Sequence, residues 1–145
     1  MKAFLRRLSA DESGQVIVMV AITMVGLVAV VGLVSDGGLV FAQRRDLQNV
    51  ADAAALAGAM QLDESAYRAS GVVVLDGQAA YRAAVGYLED EGGLTYSVVV
   101  RPAGVEVAAS REASTGFLRV VGIDGVEISA RATAQPRHGV ASAMP

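Results

Sequence analysis

Cysteine is absent from the 145 residues, which removes disulfides, thiolate metal sites and cysteine nucleophiles together. Histidine occurs once, at His138 near the C-terminus, so a catalytic triad, a histidine metal site and a histidine acid/base are all unsupported. Lysine does not occur after Lys2, which excludes a lysine nucleophile. It also excludes a phosphate loop, because no glycine-rich run is followed by Lys and Ser or Thr. Carboxylates gather only as Glu89-Asp90-Glu91, at an expected helix end, where solvated surface is the plain reading. A formal charge of −3 gives no hint of nucleic-acid binding. The expectation is a chain with no catalytic residues, no cofactor, no bound metal and no small-molecule substrate. An exported domain of this size without cysteine must stabilise itself by packing, by membrane insertion or through neighbours.

What is abundant is apolar. The apolar fraction is 53% and the mean hydropathy +0.44, with the excess concentrated before residue 35. Val16 to Val34 is a run of nineteen residues with no ionisable group, interrupted only by Thr23, Gly26 and Gly32. As a helix it would span about 28 Å, close to the roughly 30 Å hydrocarbon core of a bilayer. Valine and isoleucine favour strands in water, but a bilayer forces the backbone to satisfy its own hydrogen bonds, and helix wins there. A buried core helix seldom runs this far without a polar face. A secretory signal has a shorter apolar region and a small-residue cleavage site after it, which Ser35-Asp36-Gly37-Gly38 does not supply. The run therefore reads as a retained membrane anchor. Lys2, Arg6 and Arg7, with the amino terminus, precede the run, and Arg44-Arg45 is the nearest basic pair after it. That bias predicts a cytoplasmic head, residues 1–15, a transmembrane helix over 16–35 and a body outside. Asp36 lies at the membrane edge, where a carboxylate in contact with water is the plain reading and a paired charge the other.

Gly37-Gly38 could end the membrane helix through a left-handed residue. They could equally sit within a longer one, at about 1 kcal/mol each. Helical spacing returns at once, with Val40, Leu47, Ala51, Ala54 and Gly58 on one face, which predicts an extension over 36–62. Its small face, Ala51, Ala54 and Gly58, would admit a close neighbour; the alternative is that alanine is simply the best helix former. Beyond it lies a body over 63–135. "GVVVL" (71–75) fits a short strand or a buried loop. Asp76 is a candidate N-cap for a helix closed by Gly92-Gly93, with Ala80, Val85 and Leu88 inward. Two alternating runs, Tyr96-Val98-Val100 and Val105-Val107-Ala109, flank Pro102-Ala103-Gly104 as a hairpin. Residues 114–122 fit a short helix capped by Ser114, with Phe117, Leu118 and Val121 inward. A half-exposed strand then alternates from Val126 to Ala134, and residues 136–145 read as a loose tail. The fold class is α+β: a long N-terminal transmembrane helix followed by a small antiparallel sheet with one or two helices.

Gly14-Gln15, the apolar run, Asp36 followed by glycine, and "RRDLQNVADAAALAGA" (44–59) together resemble the TadG-like and TadE-like proteins of Flp-type tight-adherence pilus systems. The resemblance is strong over residues 10–60 and weaker over 105–134. It implies a membrane-anchored, pilin-like accessory protein of the bacterial inner membrane or surface pilus, with membrane lipid and other pilus-assembly or pilin-like proteins as partners. It also implies a processing site between Gly14 and Gln15, because pilin-like proteins are cut after the glycine preceding the apolar helix. The fifth position after that cut is Met19, where pilins carry Glu, so entry into a filament stays open. The competing class is a membrane-anchored extracytoplasmic binding module with no pilus role.

Overall fold

The computed structural model describes residues 12–136. The head before residue 12 and the tail after residue 136 lie outside them. Helix α1 runs Glu12–Ala59, followed by α2 (Glu64–Ser70), α3 (Gly77–Glu91), β1 (Thr95–Arg101), β2 (Gly104–Ser114), a 3-10 turn (Leu118–Val121) and β3 (Gly125–Ala134). The class is α+β, a long apolar helix followed by a three-stranded antiparallel sheet and helices. Two compact units divide the chain: the residues up to Leu39 with Thr115–Asp124, and Val40–Ser114 with Gly125 onward.

Of the two outcomes open for Gly37-Gly38, helix continuity is the one observed: α1 passes through both, and neither has a positive φ. Two glycines cost about 2 kcal/mol in propensity, which forty-six other residues of the same helix absorb. The helix closes at Ala59 and not at Leu62. Leu62 instead forms an antiparallel bridge with Leu75, flanked by Asp63 N–H to the Val74 carbonyl (2.9 Å) and Asp76 N–H to the Gln61 carbonyl (2.9 Å). The stretch "GVVVL" thus contributes one bridge and no strand.

The second unit holds the core. From α1 come Leu47, Val50, Ala51, Ala54 and Ala55; from α3, Ala80, Ala84 and Leu88. The sheet supplies Val105, Val107, Ala109, Ala113, Ile128, Ala130 and Ala132. The α3 stripe is therefore Ala80, Ala84 and Leu88, each four residues on, and Val85 is only half-buried. Asp76 accepts from the amides of Gln78 and Ala79 (both 3.0 Å), and Gly92 (φ 65°) with Gly93 (φ 64°) turns the chain into β1. Both adopt the left-handed region where a side chain would be strained.

The hairpin aligns Val98 with Val107 and Val100 with Val105. It closes Arg101 on Gly104, so Pro102-Ala103 form the loop and Gly104 opens β2. A Cβ on Gly104 would stand 2.5 Å from the Ala134 carbonyl oxygen, so glycine is needed where β3 approaches. β2 pairs with β3 from Val105–Ala134 to Ser114–Gly125, giving the order β1-β2-β3.

Helix α2 was not anticipated. Asp63 caps it, accepting from the Ala66 amide at 2.9 Å, and Gly71 (φ 70°) ends it, yet none of its residues is buried. Packing energies follow from the same burial pattern. In urea unfolding of the detergent-solubilised full chain, Ala54→Leu should lose about 1–3 kcal/mol by overpacking. Leu88→Ala should lose about 2–5 kcal/mol through the cavity it leaves. Val99→Ala, at an exposed position, should stay within about 0.5 kcal/mol. A midpoint unmoved by Ala54→Leu would show that the small ridge is free.

Candidate functional site

Every large apolar side chain from Val16 to Val34 is between 52% and 71% exposed. The helix contains an 18-residue window of mean hydropathy 2.9 with only 6% buried, so it is long and apolar enough to cross a membrane. The polar side chain of this run, Thr23, donates its hydroxyl to the Met19 carbonyl at 2.8 Å and presents no unmet group. Gly14 and Gln15 lie near the described start of α1; both are exposed, and nothing stands within 4 Å of a Cβ built on Gly14.

On one face of this apolar helix, Gly32 and Asp36 are buried four residues apart. Asp36 is only 2% exposed, so neither reading of its sequence position is observed: it is shut off from water, and backbone amides hold it in place of an opposite charge. Its Oδ1 accepts from the amides of Gly116 and Phe117 (both 3.0 Å), and its Oδ2 accepts from that of Leu118 (2.6 Å). These amides open the 3-10 turn Leu118–Val121, where partial positive charge favours a carboxylate. The Leu118 amide, helped by those of Phe117 and Gly116, draws the carboxyl below its ordinary pKa against the opposing effect of burial. A Cβ on Gly32 would stand 2.8 Å from Cγ of Phe117, so the ring needs glycine beneath it. The expected cap, Ser114, ends β2 instead, and Phe117 precedes the turn without a side-chain cap. The sequence signal for this arrangement was the charge itself: a lone acid beside a long apolar run needs either water or donors.

In the second unit, one face of α1 between Gln43 and Gly58 addresses the sheet and α3. Gln43 donates Nε2 to the Ser114 carbonyl (3.2 Å) and accepts from the Ser114 amide (3.3 Å). Asp46 pairs with Arg111 at 2.8 Å, and Gln48 donates to the Arg131 carbonyl at 2.8 Å. Leu47, Ala51 and Ala54 are fully buried. A Cβ on Gly58 would meet Val105 at 3.1 Å and the Ala80 carbonyl at 3.0 Å. Arg44 and Arg45 stay exposed. Among the described residues no group of three His, Cys, Asp or Glu side chains gathers to hold a metal.

The Asp36 contacts carry a pH dependence of known sign. A carboxyl whose pKa is lowered on folding stabilises the folded state above its ordinary range, and that contribution is lost as the pH falls through the lowered value. Protection of the Gly116, Phe117 and Leu118 amides, relative to the intrinsic exchange rate at each pH, should therefore hold from neutral pH down into the ordinary carboxylate range and fall only below it. In Asp36→Asn, one of the acceptor oxygens becomes a donor, and the protection of the same amides should be reduced and independent of pH. Equal protection in the two proteins would mean that the charge does not hold the turn.

No curated protein and no solved structure matches the chain. Residues 14–61, which span α1 from its exposed apolar run through its buried small ridge, match the family model described as "Putative Flp pilus-assembly TadE/G-like", and this segment is Tad-like.

Proposed function

We propose that this chain is a membrane-anchored structural or accessory component of a Flp-type tight-adherence pilus, serving as a minor pseudopilin or assembly factor. One observation carries the reading. The Tad match over residues 14–61 falls on a single continuous helix, Glu12–Ala59, whose first half exposes apolar side chains throughout. Such a surface needs lipid or other apolar helices around it, and an assembly of membrane proteins supplies both. The anchor lies in the bacterial inner membrane, the charge bias sets the head in the cytoplasm and the body outside, and the partners are other pilus-assembly or pilin-like membrane proteins. The chain carries out no chemistry of its own in this reading.

Processing is the second part of the proposal. A prepilin-type peptidase would cut between Gly14 and Gln15, because that glycine stands between the charged head and the apolar run. Its place near the described start of α1, with free space around it, makes local unwinding of the scissile bond inexpensive.

Three measurements decide these points. The chain should fractionate with membranes and leave them only in detergent; recovery in the soluble fraction without detergent would remove the anchor. Deleting it should reduce surface pili, and normal piliation, with the chain absent from purified pili by mass spectrometry, would favour the anchored binding module instead. Terminal sequencing should find a chain starting at Gln15. A chain starting at Met1 in cells with an active peptidase would leave a permanent bitopic anchor.

A further inference from the structure

Residues Thr115–Asp124 link β2 to β3 and belong to the same compact unit as the apolar half of α1. Within that unit they carry an unusual pair of properties. Three large apolar side chains stay exposed: Val120 at 87%, Phe117 at 50% and Ile123 at 45%. Most of the backbone amides beneath them, by contrast, have partners within the protein. The amides of Gly116, Phe117 and Leu118 donate to Asp36. Those of Thr115, Val120, Gly122 and Ile123 donate to the carbonyls of Asp124 (3.3 Å), Phe117 (3.0 Å), Arg119 (3.0 Å) and Leu118 (3.0 Å). The Thr115 hydroxyl donates to the Ile123 carbonyl. A loop in water needs no such provision, whereas irregular backbone at membrane depth is tolerated only when its polar groups are met within the protein.

The position of the loop agrees. Phe117 sits over Gly32, two residues inside the Val34 end of the apolar run, which is about 3 Å along the helix axis. Phenylalanine, like tryptophan and leucine, supplies the apolar face of segments that lie at this depth. We infer that Phe117, Val120 and Ile123 form a second membrane contact, entering the headgroup–acyl boundary of the leaflet that holds the Val34 end of the helix. The inference rests on reading Val16–Val34 as membrane-spanning. Lipid is the occupant because Phe117 is seated on the apolar run itself, at Gly32, and the exposed Val120 and Ile123 belong to the same compact unit as that run. Arg119, exposed and paired with Asp124 at 3.5 Å, has the length to keep its guanidinium at the headgroups while its stem lies lower.

The chain contains no tryptophan, so single-tryptophan variants report cleanly. Full-length Val120→Trp, Val25→Trp and Tyr67→Trp would be reconstituted into phosphatidylethanolamine/phosphatidylglycerol vesicles with and without brominated acyl chains. All three positions are exposed, so the fold tolerates the change. Val25→Trp reports the anchor, and Tyr67→Trp, on α2, reports the body. The inference expects Val120→Trp to be blue-shifted and quenched by bromine together with Val25→Trp, while Tyr67→Trp is unquenched. Quenching at Val25→Trp without quenching at Val120→Trp overturns the loop contact and leaves the anchor standing; a blue shift at Val120→Trp in that case assigns the patch to a protein neighbour, such as a second copy of the chain. An unquenched Val25→Trp overturns the anchor and the loop contact together.

Discussion

Transfer of the Val16–Val34 surface out of water is the interaction on which the other features of the first unit depend. Fourteen large apolar side chains there stay more than half exposed. At roughly 1 kcal/mol for the remaining half-burial of each, contact with water would cost on the order of 10 kcal/mol. That equals the whole folding free energy of an ordinary domain. A gain of that size on burial drives the run toward lipid or apolar neighbours. It also accounts for the way polar groups on this helix are handled, with the Thr23 hydroxyl turned back on the Met19 carbonyl and the Asp36 carboxylate closed over by three amides.

The second unit answers a different constraint with the same helix. Without cysteine, and with a core rich in alanine, it cannot rely on cross-links or on large side chains. Small residues at Ala51, Ala54 and Gly58 bring backbone close to the sheet and to α3, so that many weak contacts replace a few strong ones. Gln43, Asp46 and Gln48 then fix the helix against β2 and β3 through hydrogen bonds to Ser114, Arg111 and Arg131. The stretch that carries the family resemblance, residues 44–59, thus holds a packing ridge on one face, where a larger side chain at Gly58 would press on Val105 and the Ala80 carbonyl.

How much was legible in the sequence follows the strength of each physical signal. The apolar run was clear from its nineteen residues without an ionisable group; the hairpin and β3 were clear because burial on one face imposes a period, and Val105, Val107, Ile128 and Ala130 keep it. Asp76 and Gly92-Gly93 bounded α3 correctly because caps act locally. Its inward stripe was shifted, since Ala84 competes with Val85 for the buried side and hydrophobicity alone ranks valine higher. Helix α2 escaped because it buries nothing and so has no apolar period; its only signals were Asp63 and Gly71 at its ends. The Asp36 site escaped because its partners lie eighty residues on, at Gly116 to Leu118, and are backbone amides that no side-chain pattern reveals.

Those amides explain why the residue at position 36 is acidic. Three N–H groups converge on it from consecutive residues at the start of a 3-10 turn. A carboxylate offers both oxygens as acceptors and no competing donor, whereas an amide side chain would turn a donor toward one of them. The charge is also matched by the positive end of the turn, so burial does not leave it uncompensated. Glycine four residues earlier supplies the remaining requirement, a flat surface for Phe117. The pair Gly32 and Asp36 therefore acts as one device: the first admits the ring, the second meets the amides, and together they let an irregular segment rest on an apolar helix without presenting unmet polar groups. Neither residue would achieve this alone, because a seated ring with unmet amides carries a desolvation cost, and satisfied amides cannot approach past a side chain at position 32.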